Sequence, residues 1–263
     1  MRTTFSLLLS LMTLTAVSQN FAELCNEGIK QITNKNYEKA QLLFAEAAAT
    51  GTTNEEKAYA HANLAYSQQM CGDLVNALRN YNSAISHDST EIALFLQRAN
   101  IYLRLDSTEK ALKDYNRILE KEPYNSGALY IRAGIHAGAG NLDAAKRDYK
   151  ALLAMDPDNA NARLGFAMLY QKEKKYNECL MLLGLLIEES PGNAALYIAR
   201  SNVEREMGYR ELALMDVEKA INIEPGNAGY YKLKAILLEE CGKKDAAKKS
   251  RKNAELLEAA GKR

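Results

Sequence analysis

The chain has 263 residues, of which 47% are hydrophobic and 25% are charged, and its formal net charge is +1. This composition is that of a globular protein with enough apolar material for a core. A nearly neutral chain has no general attraction to nucleic acid or to an anionic membrane. Because there are only four prolines in the whole chain, helices are favoured over a turn-rich sheet.

The N-terminal residues predict a secretion signal. Arg2 precedes a mainly apolar run from Phe5 to Val17, and Ala16 and Ser18 stand at the positions that a signal peptidase reads. Residues 1–18 are therefore the expected signal peptide. A membrane anchor is the alternative, but the apolar run is shorter than the roughly 20 residues that a span requires. We expect an exported protein, periplasmic or secreted, without an integral membrane span.

A 34-residue repeat organises the remainder of the chain. Prolines recur at this step, each is followed two residues later by asparagine, and small residues and glycines recur in phase. The prolines and asparagines are Pro123, Pro157, Pro191 and Pro225, and Asn125, Asn159, Asn193 and Asn227. The small residues and glycines are Ala77, Ala111, Ala145, Cys179, Ala213 and Ala247, and Gly72, Gly140, Gly208 and Gly242.

Each recurring residue type has a mechanical role in a helical repeat. Proline ends one helix, and the asparagine after it caps the next by accepting free backbone N–H groups. Glycine permits a left-handed turn between two helices. Alanine permits two helices to approach closely. Between these marks, apolar residues such as Leu94, Ile101 and Leu105 have helical spacing, which predicts helices of roughly 13 residues that bury their apolar faces only by stacking.

The period and the residues in it resemble the tetratricopeptide repeat family. The stretch from Ile92 to Pro123 has the family's residue types at Phe95, Ala99, Tyr102, Ala111, Tyr115 and Pro123. The resemblance implies an all-α fold, a right-handed superhelical α-solenoid of stacked antiparallel helix pairs. Within residues 19–263 it predicts seven repeats, which span 21–54, 58–91, 92–125, 126–159, 160–193, 194–227 and 228–261.

Charged residues inside the repeats predict a structural pairing. Arginine at the seventh repeat position and aspartate sixteen residues later occur together in three repeats and are both absent from the other four. The three expected pairs are Arg98 with Asp114, Arg132 with Asp148, and Arg200 with Asp216. A structural role is favoured over ligand binding, and the pairs should contribute more to stability if they are partly buried.

The resemblance also implies a partner-binding groove lined by the first helices of successive repeats. The groove positions that we single out are Tyr59, Tyr66, Asn100, Arg104, Tyr130, Met168, Asn202 and Arg205. Tyrosine supplies rigid apolar area, asparagine can hold a peptide backbone, and arginine can bind a carboxylate. The expected function is a non-enzymatic scaffold in the cell envelope that binds a protein or peptide. The alternative is a structural envelope protein that associates with itself and has no separate client.

No residue pattern predicts catalysis, a metal site or a cofactor. His61, His87 and His136 lack metal-site spacing and are expected to lie apart in different repeats. The four cysteines are expected to be free thiols or packing residues, since Cys71 and Cys241 occupy equivalent places five repeats apart. The C-terminal segment from Cys241 to Arg263 carries eight basic and three acidic side chains. These fit a solvated capping helix or, alternatively, contact with an acidic partner or lipid surface.

Overall fold

A computed structural model describes residues 19–260, and the regular structure within this range is helical. The predicted signal peptide, 1–18, lies outside the described residues. The helices are α1 (19–33), α2 (Tyr37–Thr50), α3 (Asn54–Met70), α4 (Leu74–His87), α5 (Ile92–Arg104), α6 (Thr108–Lys121), α7 (Ser126–Gly138), α8 (Leu142–Met155), α9 (Ala160–Lys172), α10 (Tyr176–Glu189), α11 (Ala194–Glu206), α12 (Arg210–Ile223), α13 (Ala228–Glu240) and α14 (Lys244–Ala260).

The helices are paired sequentially, and the pairs keep a constant step. From the third pair onward, the first helices begin at Ile92, Ser126, Ala160, Ala194 and Ala228, and the interval between successive starts equals the repeat length in the sequence. Their partners begin with the same spacing, at Thr108, Leu142, Tyr176, Arg210 and Lys244. The predicted all-α class of stacked helix pairs is therefore confirmed.

The contacts divide the described residues into two compact units, between Ala128 and Leu129 inside α7. The N-terminal unit, residues 19–128, has its core around Phe44, Leu64 and Tyr81. The C-terminal unit, residues 129–260, has its core around Leu183 and Val217 and their neighbours. Each unit is built from helix pairs that share apolar faces, as stacking of repeats requires.

Asparagine side chains begin four of the helices, as the sequence predicts. The side chain of Asn125 accepts from the backbone N–H of Ala128 at 2.9 Å. Asn159, Asn193 and Asn227 accept in the same way at 2.9, 3.1 and 3.0 Å. These bonds satisfy N–H groups that have no partner within the helix.

The predicted left-handed turns are present at the in-phase glycines. Gly72, Gly140, Gly208 and Gly242 have φ values of 84°, 81°, 84° and 75°. The other three helix pairs make the same turn without glycine, and Lys35, Asp106 and Lys174 have φ values of 60°, 53° and 59°. All three side chains are exposed, so this turn tolerates a side chain at the cost of local strain.

The helix α3 begins earlier than the repeat pattern predicts. The predicted first repeat ends at residue 54 and the second begins at Ala58, whereas α3 starts at Asn54. The reason is a capping box, in which the Thr53 side chain accepts from the N–H of Glu56 and the Glu56 carboxylate accepts from the N–H of Thr53. This reciprocal pair satisfies two backbone donors and extends the helix toward its N-terminus.

The recurring small residues are buried between the helices. The alanines of this set, Ala77, Ala111, Ala145, Ala213 and Ala247, have no exposed surface, and Cys179 is 1% exposed. A larger side chain at such a position would force the two helices of a pair apart, since protein interiors are close-packed.

Candidate functional site

The three predicted arginine–aspartate pairs are present and join the two helices of a repeat. The distances between guanidinium nitrogen and carboxylate oxygen are 2.6 Å for Arg98–Asp114, 2.7 Å for Arg132–Asp148 and 2.6 Å for Arg200–Asp216. In each pair two nitrogens donate to the two carboxylate oxygens. The hydrogen bonds to Asp114 raise the pKa of Arg98. These six side chains are therefore structural.

Repeats without this pair fill its place differently. Phe166 occupies the arginine position of α9, and its ring lies 6.0 Å from that of Tyr149. Tyr149 in turn lies 6.3 Å from Tyr130, so an aromatic row crosses α7, α8 and α9. In the last repeat Lys234 reaches back to Glu218 of α12 at 2.8 Å. Packing or a different ion pair thus replaces the bridge.

A polar pocket of about 540 Å³ in the C-terminal unit is the candidate site. Its lining comes from the last turns of three first helices and from the start of one second helix. The lining residues are Gln171 of α9, Asn202, Arg205 and Glu206 of α11, Arg210 of α12, and Glu240 of α13. The repeat places these side chains together because the first helices end at equivalent positions of successive repeats.

Hydrogen bonds between successive first helices fix the walls of the polar pocket. Gln171 Nε2 donates to Glu206 Oε1 at 2.7 Å. Arg205 Nε donates to Glu240 Oε1 at 2.9 Å, and Arg210 Nε lies 3.7 Å from Glu240 Oε2. The bonds to Arg205 lower the pKa of Glu240, and those to Glu240 raise the pKa of Arg205. The pocket therefore presents Arg205 and two carboxylates that are already oriented before any ligand binds, with Arg210 at ion-pair distance beside them.

The structure brings together only part of the predicted groove set. Asn202 and Arg205 both line the polar pocket. In the same unit Met168 is 56% exposed and Tyr130 is 42% exposed, outside the pocket lining. Each is accessible to a partner, but neither contributes to the pocket.

The other four predicted groove residues lie in the N-terminal unit. Tyr59 and Arg104 are exposed, whereas Tyr66 and Asn100 are partly buried. The side chain of Asn100 accepts a hydrogen bond from the Tyr115 hydroxyl at 2.9 Å. Asn100 therefore supports its own repeat as well as facing solvent.

Four residues of the polar pocket were not among the predicted site residues: Gln171, Glu206, Arg210 and Glu240. Glu206 and Glu240 stand at the thirteenth repeat position, which the family resemblance includes in the groove. That position was a usable signal for both. Arg210 begins a second helix, and no groove rule based on first helices could have found it.

The expectation that the histidines lie apart in different repeats is wrong for two of them. His61 of α3 and His87 of α4 belong to one helix pair, and their rings stack with centroids 6.0 Å apart. Their Nδ1 atoms contact Asn80 Oδ1 at 2.9 Å and Asn54 Oδ1 at 3.2 Å. His87 ends α4 and lies beside the first half of α3, and the predicted repeat 58–91 already contains both residues.

Metal-binding clusters, disulfides and membrane-spanning helices are absent from the described residues. Residues 19–260 contain no cluster of three or more His, Cys, Asp or Glu side chains that could hold a metal ion. The four cysteines are free thiols. Burial raises the pKa of the Cys25 and Cys179 thiols to about 11, which keeps them protonated at neutral pH. None of the described helices is long and apolar enough to span a membrane.

Comparison with known proteins identifies the class. Residues 136–203 match a family model for the tetratricopeptide repeat. A tetratricopeptide repeat protein from Parabacteroides merdae ATCC 43184 superposes with a TM-score of 0.78 at 29% identity, over 91% of this chain and 93% of that one. Residues 136–203 are therefore tetratricopeptide repeat, and the chain has the fold of a tetratricopeptide repeat protein over 91% of its length. This repeat is in general a protein-binding scaffold that is typically non-enzymatic.

More distant structures share the fold alone. PilW, a type IV pilus biogenesis factor, has a TM-score of 0.64 at 18% identity, over 73% of this chain and 90% of its own. YrrB, a tetratricopeptide repeat protein with an unusual peptide-binding site, has a TM-score of 0.55 at 22% identity, over 69% of this chain and 92% of its own. No curated protein matches the chain in sequence.

Proposed function

We propose that this protein binds an extended peptide segment of a partner protein in the polar pocket of its C-terminal unit. The observation that carries the proposal is the set of interhelical hydrogen bonds that hold Arg205 and Glu206 in fixed orientations. An extended backbone offers N–H and C=O groups in alternation, and the pocket offers both acceptors and donors to meet them. Asn202 is exposed and lies beside these charges.

The charges of the pocket favour a partner with polar side chains. Arg210 is half exposed and lies 3.7 Å from its nearest carboxylate oxygen, so most of its five donors remain available for a partner's carboxylate. Glu206 and Glu240 can accept from a basic side chain. YrrB has a peptide-binding site, and peptide binding is part of this proposal for the present chain.

An array of extended dodecapeptides would test the proposal. Asn202→Ala and Arg205→Ala should each lower the affinity for the best-binding peptide by about 30-fold. Removing a central contact of an interface costs about 2 kcal/mol. The matched control is Arg147→Ala, because Arg147 is exposed on the second helix α8. Equal losses in all three variants, or no peptide bound by the wild type, would contradict the proposal. Sedimentation that depends on protein concentration, in the absence of peptide, would favour self-association.

We also propose that the protein is exported to the cell envelope and works there, in the periplasm or outside the cell. The support is the apolar run from Phe5 to Val17 followed by small residues. N-terminal sequencing of the protein from its native cells should begin at Gln19. Recovery of a chain that begins at Met1 from the cytoplasmic fraction would overturn this part of the proposal.

A further inference from the structure

Glu204 is a buried acid without a counter-charge of its own. Only 8% of the residue is exposed, and its Oε2 atom is buried with no hydrogen-bond partner among the described residues. Carboxylates in such surroundings are normally paired or hydrogen-bonded, because desolvation disfavours the charged form.

The nearest charges do not neutralise Glu204. Arg200, one turn earlier on α11, donates through Nε and Nη2 to both oxygens of Asp216, at 2.6 and 2.8 Å. Asp216 of α12 is itself a second negative charge beside Glu204. Burial is the largest cause and Asp216 the next in raising the pKa of Glu204 to about 7, and Arg200 opposes them.

The helices that pack most closely on α11 supply no further cation to Glu204. These helices are α10 and α12. On α12 the charged group that acts on Glu204 is Asp216. The charged residues of α10 are all acidic and exposed: Glu178, Glu188 and Glu189. The other charged residues of α12 are also exposed: Arg210, Glu211, Glu218 and Lys219.

The two first helices that are hydrogen-bonded to α11 have their cations engaged elsewhere. These helices are α9 and α13. Their basic side chains make other contacts: Arg163 with Glu189, Lys172 with the Ala137 carbonyl, Lys232 with Glu258, and Lys234 with Glu218. Ionised Glu204 therefore shares one arginine with another carboxylate in a buried place.

The position of Glu204 links this cluster to the polar pocket. It lies two residues before the end of α11, where the helix dipole disfavours an anion. The next two residues, Arg205 and Glu206, line the polar pocket. The equivalent position is tyrosine in the fifth repeat, at Tyr170, and leucine in the seventh, at Leu238, so the sixth repeat has an acid where its two neighbours have uncharged residues.

We propose that Glu204 is a protonation switch for the polar pocket. When protonated, it leaves the last turn of α11 ordered, with Arg205 and Glu206 in their binding orientations. When ionised, it loosens that turn and with it the pocket wall. That the switch regulates binding rests on the proposed function. The effect of Glu204 ionisation on α11, however, is a property of the ligand-free chain.

The direction of the pH dependence follows from linkage. The pKa of Glu204 is raised in the folded protein, so folding favours the protonated form. Order in α11 should be greatest below the ordinary carboxyl pKa of 4.5 and should fall as the pH rises to about 7. Between pH 6 and pH 8 the equilibrium constant for opening should rise about tenfold, given a folded pKa of about 7.

Hydrogen exchange of the full mature chain tests the switch without any ligand. After correction for intrinsic rates, amides of α11 and α12 should be about tenfold less protected at pH 8 than at pH 6. Glu204→Gln keeps the shape and removes the charge, so its protection should be equal at the two pH values. Glu211→Gln, at an exposed position on α12, is the matched control and should behave as the wild type.

Two results would overturn the switch: equal protection of wild-type α11 at both pH values, or a pH dependence that persists in Glu204→Gln. Glu204→Tyr introduces the residue that the third and fifth repeats have at this position and provides a second neutral variant should the glutamine variant fold poorly. If no peptide binds but the exchange of α11 depends on pH as expected, only the proposed function is refuted. If a peptide binds but the exchange does not depend on pH, only the switch is refuted.

Discussion

Replacing Asp114 with alanine should lower the free energy of unfolding by about 3 kcal/mol, because it leaves a largely buried guanidinium without its carboxylate. The side chains of Arg98 and Asp114 are only 17% and 5% exposed, and two hydrogen bonds of 2.8 and 2.6 Å join them. Arg98 keeps a contact with the Asn82 side chain at 2.8 Å, but a neutral amide oxygen does not neutralise its charge. Urea unfolding followed by circular dichroism measures the loss.

The matched control for this prediction is an ion pair on the surface. Glu120 contacts Arg117 at 3.4 Å, and their side chains are 66% and 44% exposed. Glu120→Ala should change the free energy of unfolding by less than about 0.5 kcal/mol, because solvent screens such pairs. Replacing both members of the buried pair, as Arg98→Met with Asp114→Leu, should recover most of the loss. If Asp114→Ala cost no more than Glu120→Ala, the pair would not stabilise the repeat.

Replacing Gly165 with alanine should lower the free energy of unfolding by about 2 kcal/mol, although alanine is the better helix former. A Cβ atom on Gly165 of α9 would overlap the ring of Tyr149 on α8, whose Cζ is the nearest atom. Tyr149 is 5% exposed and packs against Phe166, so its ring has no free space to enter. Thermal or urea unfolding would detect the loss.

The same substitution at Gly134 is the control, and its effect should have the opposite sign. Gly134 lies inside α7, is exposed, and no atom lies within 4 Å of a Cβ built there. Gly134→Ala should therefore raise the free energy of unfolding by about 1 kcal/mol through helix propensity. A combination of Gly165→Ala with Tyr149→Leu should cost less than the sum of the two single changes. Equal effects at Gly134 and Gly165 would refute the close contact.

The groove was only partly predictable. Asn202 and Arg205 were predicted from their repeat positions and do lie in one pocket. The hydrogen bonds of this pocket, from Gln171 to Glu206 and from Arg205 to Glu240, depend on which side chains meet across two stacked helices. A repeat pattern predicts which face of a helix each position lies on, but not the distances between side chains on neighbouring helices. These contacts could therefore not be predicted.

Sequence alone determined the local architecture of this protein. Asn159 caps a helix and Gly140 makes a left-handed turn because each acts on backbone within a few residues of itself. The pairing of Arg132 with Asp148 was also readable, because both residues appear or vanish together within a repeat of fixed length.

Tertiary structure alone decided the side-chain contacts in which individual repeats differ from one another. The stacking of His61 on His87, the absence of space beside Gly165 and the isolation of Glu204 each depend on how closely side chains from different helices pack. The physical reason is that backbone capping and turn chemistry act over a few residues along the chain. Desolvation and close packing act instead between residues that only the folded chain brings together.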